Sequence, residues 1–365
     1  MGLQCGIIGL ANSGKTTLFN CLSNTRAETG KFAFSSGKSN LGIINIPDNR
    51  LYRIADLVKP QKIVPATVEI VDIPGLTKGS GKGEGIGNRF LSDIRNTDAL
   101  IHVIRCFDDD NLPHIEGSVD PVRDKETVEF ELQVKDLESV IKKIQKLEKA
   151  AKVGEKDAKH GLEVLNIYRQ HLESFGSARN APVEERDRIY IEDIFLLTGK
   201  PVMYVCNVDE ASAVKGNSYV DALREAVKDE DTEVLVIAAA MEAEIAELED
   251  EADRLAFLEE AGLSEPGVNK LVTSAYSILN LQSFFTEGPK EVRAWTIKKG
   301  MTAQQAAGVI HSDLERGFIR AEVIKYDDFI ALESEHACKE AGKLHVEGKN
   351  YVVGDGDLLH IRFNV

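Results

Sequence analysis

Apolar residues set the first element: Leu3-Gln-Cys-Gly-Ile-Ile-Gly-Leu10 is short and apolar, as a strand covered on both faces would be. Helical spacing follows in Thr17-Leu-Phe-Asn-Cys-Leu22. Leu41–Ile46, Ala66–Ile73, 99–105, 201–207 and 233–239 read as further strands, with a helix over 88–96. This alternation predicts an α/β fold, a mostly parallel sheet with helices on both faces and the ligand at the strand ends. Between 105 and 201 the pattern changes to two apolar stripes. Val134, Leu137, Ile141 and Ile144 form one, and Leu162, Leu165, Leu172 and Phe175 the other, which predicts two antiparallel helices in a short coiled coil. Glu242–Glu260 is strongly acidic and reads as surface helix. From about Asn280 short strands return at Val292–Ile297, Phe318–Val323, Tyr351–Val353 and Leu358–Phe363, with a helix-like Thr302–Arg316 after the first. A separate, small α+β domain fits that order. The expected domains are therefore 1–125 with 199–280, an inserted 126–198, and 281–365.

The loop after the first strand carries the chemistry. Gly9-Leu-Ala-Asn-Ser-Gly14-Lys15-Thr16 fits Gly-x-x-x-x-Gly-Lys-Ser/Thr, and it lies between a strand and a helix start. Such a turn aims backbone N–H groups inward, and the helix N-terminus adds partial positive charge, so it cradles phosphate. Asn12, Ser13, Gly14, Lys15, Thr16 and Thr17 are the expected nucleotide contacts, with Lys15 reaching the β- and γ-phosphates and the Thr16 hydroxyl ligating Mg²⁺. Asp72-Ile-Pro-Gly75 ends the Ala66–Ile73 strand. There Asp72 can hold Mg²⁺ through water, and the Gly75 N–H can sense a γ-phosphate. Two Gly-rich stretches, Lys31–Gly42 and Lys78–Gly87, read as the first and second switch loops.

Composition narrows this picture. With 365 residues, 43% of them hydrophobic, the chain can bury a large core, and no apolar run approaches a membrane span. Cys5, Cys21, Cys106, Cys206 and Cys338 have no metal-like spacing, so buried reduced thiols and a cytoplasmic location are expected. His311, His336, His345 and His360 are scattered without a metal pattern. A net charge of −16 argues against wholesale wrapping of nucleic acid but leaves room for a local patch. Lys142 to Lys159, at the coiled-coil tip, holds seven Lys against three acidic residues, either a solvated face or a phosphate contact.

The strand at 201–207 leads into Asn207-Val-Asp-Glu210, where guanine-specific domains of this architecture carry Asn-Lys-x-Asp. Asn207 can still bond a purine edge. Val208 replaces the Lys and Glu210 the Asp, whose carboxylate would accept from guanine N1–H and N2–H₂, so the reading leans towards ATP with GTP weaker.

At this point the chain resembles the Obg-like ATPases of the YchF family, TRAFAC-class P-loop NTPases, over essentially its full length. The resemblance is carried by Cys5-Gly-Ile-Ile-Gly-Leu10, Asp72-Ile-Pro-Gly-Leu76, Lys82-Gly-Glu-Gly-Ile-Gly-Asn88 and Arg105-Cys-Phe-Asp-Asp-Asp-Asn111. Asn207-Val-Asp-Glu210, Glu291-Val-Arg-Ala-Trp295, Gly317-Phe-Ile-Arg-Ala321 and Arg362-Phe-Asn-Val365 add to it. It implies an OBG-type G domain, a coiled-coil insertion and a C-terminal TGS domain of β-grasp form. It also implies an ATP hydrolase that prefers ATP to GTP and associates with ribosomes, with Leu76 pointing to slow turnover. Leu76 stands where Ras-type enzymes place a water-orienting Gln, and the resemblance offers His114 instead. Asn12 matches the asparagine that K⁺-activated relatives use. The first switch departs from the family: Ser36 keeps a hydroxyl for Mg²⁺, but both prolines are lost and Gly37 replaces a β-branched residue. The expectation is a divergent member with intact binding and altered turnover, and a monomer. The alternatives are a nucleotide-dependent ribosome or RNA switch with little hydrolysis, and a GTPase.

Overall fold

The computed structural model describes residues 3–24, 40–75, 86–152 and 156–364. In chain order these give β1 (Gln4–Ile8), α1 (Lys15–Asn24), β2 (Asn40–Asn45), α2 (Asn49–Val58), β3 (Lys62–Val64), β4 (Thr67–Asp72), α3 (Ile86–Arg95) and β5 (Ala99–Arg105). The insertion supplies α4 (Pro121–Lys152) and α5 (Lys156–Glu173), after which come β6 (Val202–Asn207), α6 (Ser218–Ala226), β7 (Val234–Ile237), α7 (Ala239–Glu247), α8 (Glu251–Glu260) and α9 (Gly267–Ile278). The C-terminal part holds β8 (Leu281–Thr286), β9 (Glu291–Lys298), α10 (Ala303–Ile310), α11 (Ser312–Arg316), β10 (Phe318–Ile324), α12 (Tyr326–Leu332), α13 (Glu335–Glu340), β11 (His345–Glu347) and β12 (Leu358–Phe363).

Two units result, one of 1–42 with 69–270 and one of 43–68 with 271–365. One six-stranded sheet has the order β2-β4-β1-β5-β6-β7. Strand β1 pairs in parallel with β4 and β5, and β5 in parallel with β6. All seven residues of β5 and all six of β6 are buried, which is why they read as continuous apolar runs. The α/β expectation therefore holds.

The insertion is less separate than its sequence suggests. Val128 and Leu132, in the lower part of α4, belong to the same core as Ile73, Phe90, Ile104 and Tyr204 of the nucleotide domain. Higher up, Val140 and Ile144 of α4 pack with Val164, Leu165, Tyr168 and Leu172 of α5. One helix thus runs from the sheet into the coiled coil. The stripe expected to end at Phe175 is corrected here, because that ring is 71% exposed.

In the second unit the sheet order is β11-β10-β12-β8-β9-β3. Its core joins Phe284, Ile297, Ala306, Val323 and Leu359. Three expectations are corrected. Tyr351–Val353 forms only an isolated bridge, Val352 to Thr302. The helix over 302–316 breaks at His311, whose extended backbone leaves its ring to accept from the Asp313 N–H and cap α11. In Glu242–Glu260, Glu242 is buried and accepts from the Gly267 and Val268 N–H groups at the start of α9. The five cysteines are free and buried, as expected. Glu322, Glu335 and His360 bring three donor atoms within 4.8 Å of one another. Glu322, however, is already taken by Arg320 and Arg362. No helix among the described residues is long and apolar enough to cross a membrane.

Candidate functional site

The loop between β1 and α1 is a run of unusual backbone. Gly9 and Gly14 take φ of +148° and +95°, and Asn12 lies between them at +63°. Side chains are excluded at both glycines. A Cβ on Gly9 would lie 2.3 Å from the Val103 carbonyl oxygen, and one on Gly14 would lie 2.2 Å from the Asn207 amide nitrogen. The loop is therefore pressed against the ends of β5 and β6, and Leu18 N–H to Gly14 O opens the helix.

Lys15 is 6% exposed and its Nζ donates to the Leu10 carbonyl at 2.6 Å. Burial pulls its pKa down to about 8, while Asp72 pulls the other way. Gly75 borders the same space, since a Cβ there would lie 2.7 Å from Lys15 Nζ. The Thr16 hydroxyl donates to Asp72 Oδ2 at 3.1 Å. Burial raises the Asp72 pKa, opposed by the Thr16 hydrogen bond and by Lys15. Two buried atoms, Asp72 Oδ1 and Ser13 Oγ, have no hydrogen-bond partner. Orphaned buried oxygens beside a hydroxyl and a lysine fit a hydrated Mg²⁺ with phosphate. Thr16 and Thr17 face solvent at the mouth of this cradle.

The remaining site residues fall differently. Asn207, 4% exposed, donates from Nδ2 to Ser13 O at 3.0 Å and accepts from the Ala239 N–H at 3.0 Å. It is first a cross-link between the phosphate loop, β6 and α7. Its amide has two N–H groups, of which the Ser13 carbonyl takes one. Asn207→Ala strands the buried Ala239 N–H and is expected to cost about 2 kcal/mol of stability. With the loop unbraced, equilibrium titration should show ATP affinity falling by at least about tenfold. The Val208 side chain lies in the core and offers a nucleotide only its backbone. Glu210 is exposed at the start of a short turn, and Asp209 spends its carboxylate capping Ser212 N–H.

His114 lies in the loop after β5, and Asn12 Nδ2 donates to the neighbouring Pro113 carbonyl at 3.1 Å. Only 5% of its side chain is exposed. Its Nδ1 accepts from the Glu116 N–H at 3.1 Å, which leaves Nε2–H to donate to Asp124 Oδ2 at 2.9 Å. Both ring nitrogens are thus engaged, and the ring must leave Asp124 before it can meet a water. Sequence reasoning missed Asp124, in the first turn of α4, and Arg105, whose guanidinium holds the carbonyls of Phe107, Asp109 and Leu112. A charged residue ending a wholly buried strand was the available signal for Arg105. Ser36, Leu76 and residues 31–39 and 78–85 of the two expected switch loops lie outside the described residues, while 40–42 begin β2 and 86–87 begin α3.

Residues 4–154 match a family model described as a 50S ribosome-binding GTPase. Residues 281–364 match the C-terminal domain family of YchF GTPases, described as a protein of unknown function. A Haemophilus ducreyi protein named ribosome-binding ATPase YchF is 48% identical over 365 residues, covering 100% of both chains. A Bacillus subtilis protein of the same name is 47% identical over 367 residues, again covering 100% of both. The solved structure of the Schizosaccharomyces pombe YchF GTPase superposes with a TM-score of 0.87 at 33% identity, covering 99% of this chain and 98% of that one.

Proposed function

This chain belongs to the YchF family, and from that premise we propose that it is a Mg²⁺-dependent ATPase whose nucleotide state governs association with the ribosome. The observation that carries the proposal is the cradle itself: Thr16 bonds one oxygen of Asp72, the Lys15 charge acts on the same carboxylate, and its other, buried oxygen has no partner. Thr16, Asp72 and, from its sequence position, Ser36 would hold the metal. Bound Mg²⁺ would neutralise charge on the transferring phosphoryl group. Asn12 holds the loop through Pro113 and keeps its carbonyl oxygen for K⁺. His114, once off Asp124, would order the attacking water; it follows Pro113, whose carbonyl the loop's Asn12 holds. Because that ring is stored in a buried hydrogen-bonded position, turnover is slow.

Preference for ATP over GTP rests on Glu210. It lies on the surface where a guanine-reading Asp would stand, and Val208 is committed to the core. Competition binding with Mg²⁺ should place ATP ahead of GTP. Glu210→Asp should move the ratio towards GTP by about tenfold, the scale of one hydrogen bond to a charged group. An unchanged ratio in that variant would remove the argument from this residue. For the ribosome, Lys142, Lys146, Lys149 and Lys159 are exposed near the tip of α4 and α5, suited to phosphate contacts. Part of that tip, 153–155, lies outside the described residues. Changing those four to Glu should weaken ribosome co-sedimentation and flatten its salt dependence.

A further inference from the structure

At the foot of the helical insertion, two phenylalanines face solvent side by side. Phe130 of α4 is 47% exposed and Phe175, just past α5, is 71% exposed. Their ring centroids are 6.0 Å apart with planes inclined by 34°. Phe175 holds this position at a cost. Its φ of +61° is left-handed, the place in a helix-ending turn where glycine is usual, and the turn closes through Gly176 N–H to His171 O. Gln133 Nε2 braces it by donating to the Phe175 carbonyl. Neither exposed apolar rings nor a bulky left-handed residue helps the fold, so both point to a use.

The rings border a groove of about 720 Å³. Inside it, Lys125 pairs with Glu129 and Glu230 at 2.9 and 2.8 Å. Arg179 pairs with Glu129 at 3.0 Å, and Arg123 is held on Asp124 at 2.9 Å. Glu126 and Glu131 also line the groove and have no ion-pair partner among the described residues. Aromatic faces beside unpaired carboxylates attract cations with flat or apolar bodies and repel phosphate. We propose that this groove docks a basic protein segment, with an arginine stacked on Phe130 and Phe175 and its basic neighbours paired with Glu126 and Glu131. The docking is independent of the ATPase reading and needs no nucleotide.

Fluorescence anisotropy with the full chain tests it, using a labelled short Arg/Ser peptide, its Lys/Ser and Glu/Ser counterparts, and a single-stranded RNA oligonucleotide. The Arg peptide should bind most tightly. Phe130→Ala and Phe175→Gly should each weaken it by about fivefold, the scale of a stacked cation–π contact. Glu126→Gln with Glu131→Gln should weaken it and reduce its salt dependence. Phe175→Gly relieves the left-handed residue, so its melting midpoint should rise, which separates lost binding from lost folding. Peptide affinity unchanged in Phe130→Ala and Phe175→Gly would overturn the proposal, leaving only attraction to a chain of net charge −16. Tighter binding of the RNA than of the Arg peptide would overturn it too.

Discussion

Lys15→Ala is expected to lower ATP turnover by about 10²–10³-fold while leaving the fold intact. The ammonium sits 6% exposed between the Leu10 carbonyl, at 2.6 Å, and the open face of Gly75. That burial works against its charge, pulling the pKa down to about 8. Removing a poorly compensated buried charge should cost little stability, and the melting midpoint should hold or rise. Charge developing on the transferring phosphoryl group loses its nearest cation, and that loss appears in the rate. Lys15→Arg should not rescue it, because a planar guanidinium does not fit the gap between Leu10 and Gly75. Steady-state phosphate release, alongside a circular-dichroism melt, checks both halves. Unchanged turnover in Lys15→Ala would mean that phosphate is held elsewhere.

The largest effect on stability should come from Asp136. This carboxylate of α4 is 1% exposed and accepts from Leu197 N–H and Thr198 N–H, each at 2.7 Å, and from the Thr198 hydroxyl at 2.6 Å. Thr198 Oγ1 in turn accepts from the Ala178 N–H at 2.9 Å. The segment returning from the insertion to β6 is thereby stapled to the helix that left the nucleotide domain. Asp136→Ala strands two buried backbone N–H groups and should cost about 3–5 kcal/mol in denaturant unfolding. Asp136→Asn keeps an acceptor oxygen and should cost roughly half as much. A loss below about 1 kcal/mol in Asp136→Ala would mean that water replaces the staple.

The parts legible in the sequence are those whose causes are local. A covered strand, a glycine turn and a helix start lie within 24 residues, so β1, the loop and α1 could be read directly. Asp72 could be placed because it ends an apolar run. Asn207 was found by its motif, but its partners were not: Ser13 is 194 positions away and Ala239 32. The amide that seemed aimed at a base also braces the loop. His114 is legible from the motif around it, while its partner Asp124, ten residues on and in another element, is not. Short elements failed for the same reason. Strand β8 takes its place between β12 and β9 from pairings that no local pattern announces. Strand β3 pairs with β9, more than two hundred residues later. The break at His311 was hidden because apolar residues continue at helical spacing across it.

The account turns on whether this cradle hydrolyses ATP. The most direct measurement is steady-state phosphate release from ATP and from GTP by the full chain, with Mg²⁺ and either K⁺ or Na⁺, beside the Lys15→Ala variant. The account predicts slow release from ATP, faster than from GTP, stimulated by K⁺ and abolished by the substitution. Tight ATP binding with release no faster than that of Lys15→Ala would contradict it and recast the protein as a binding switch.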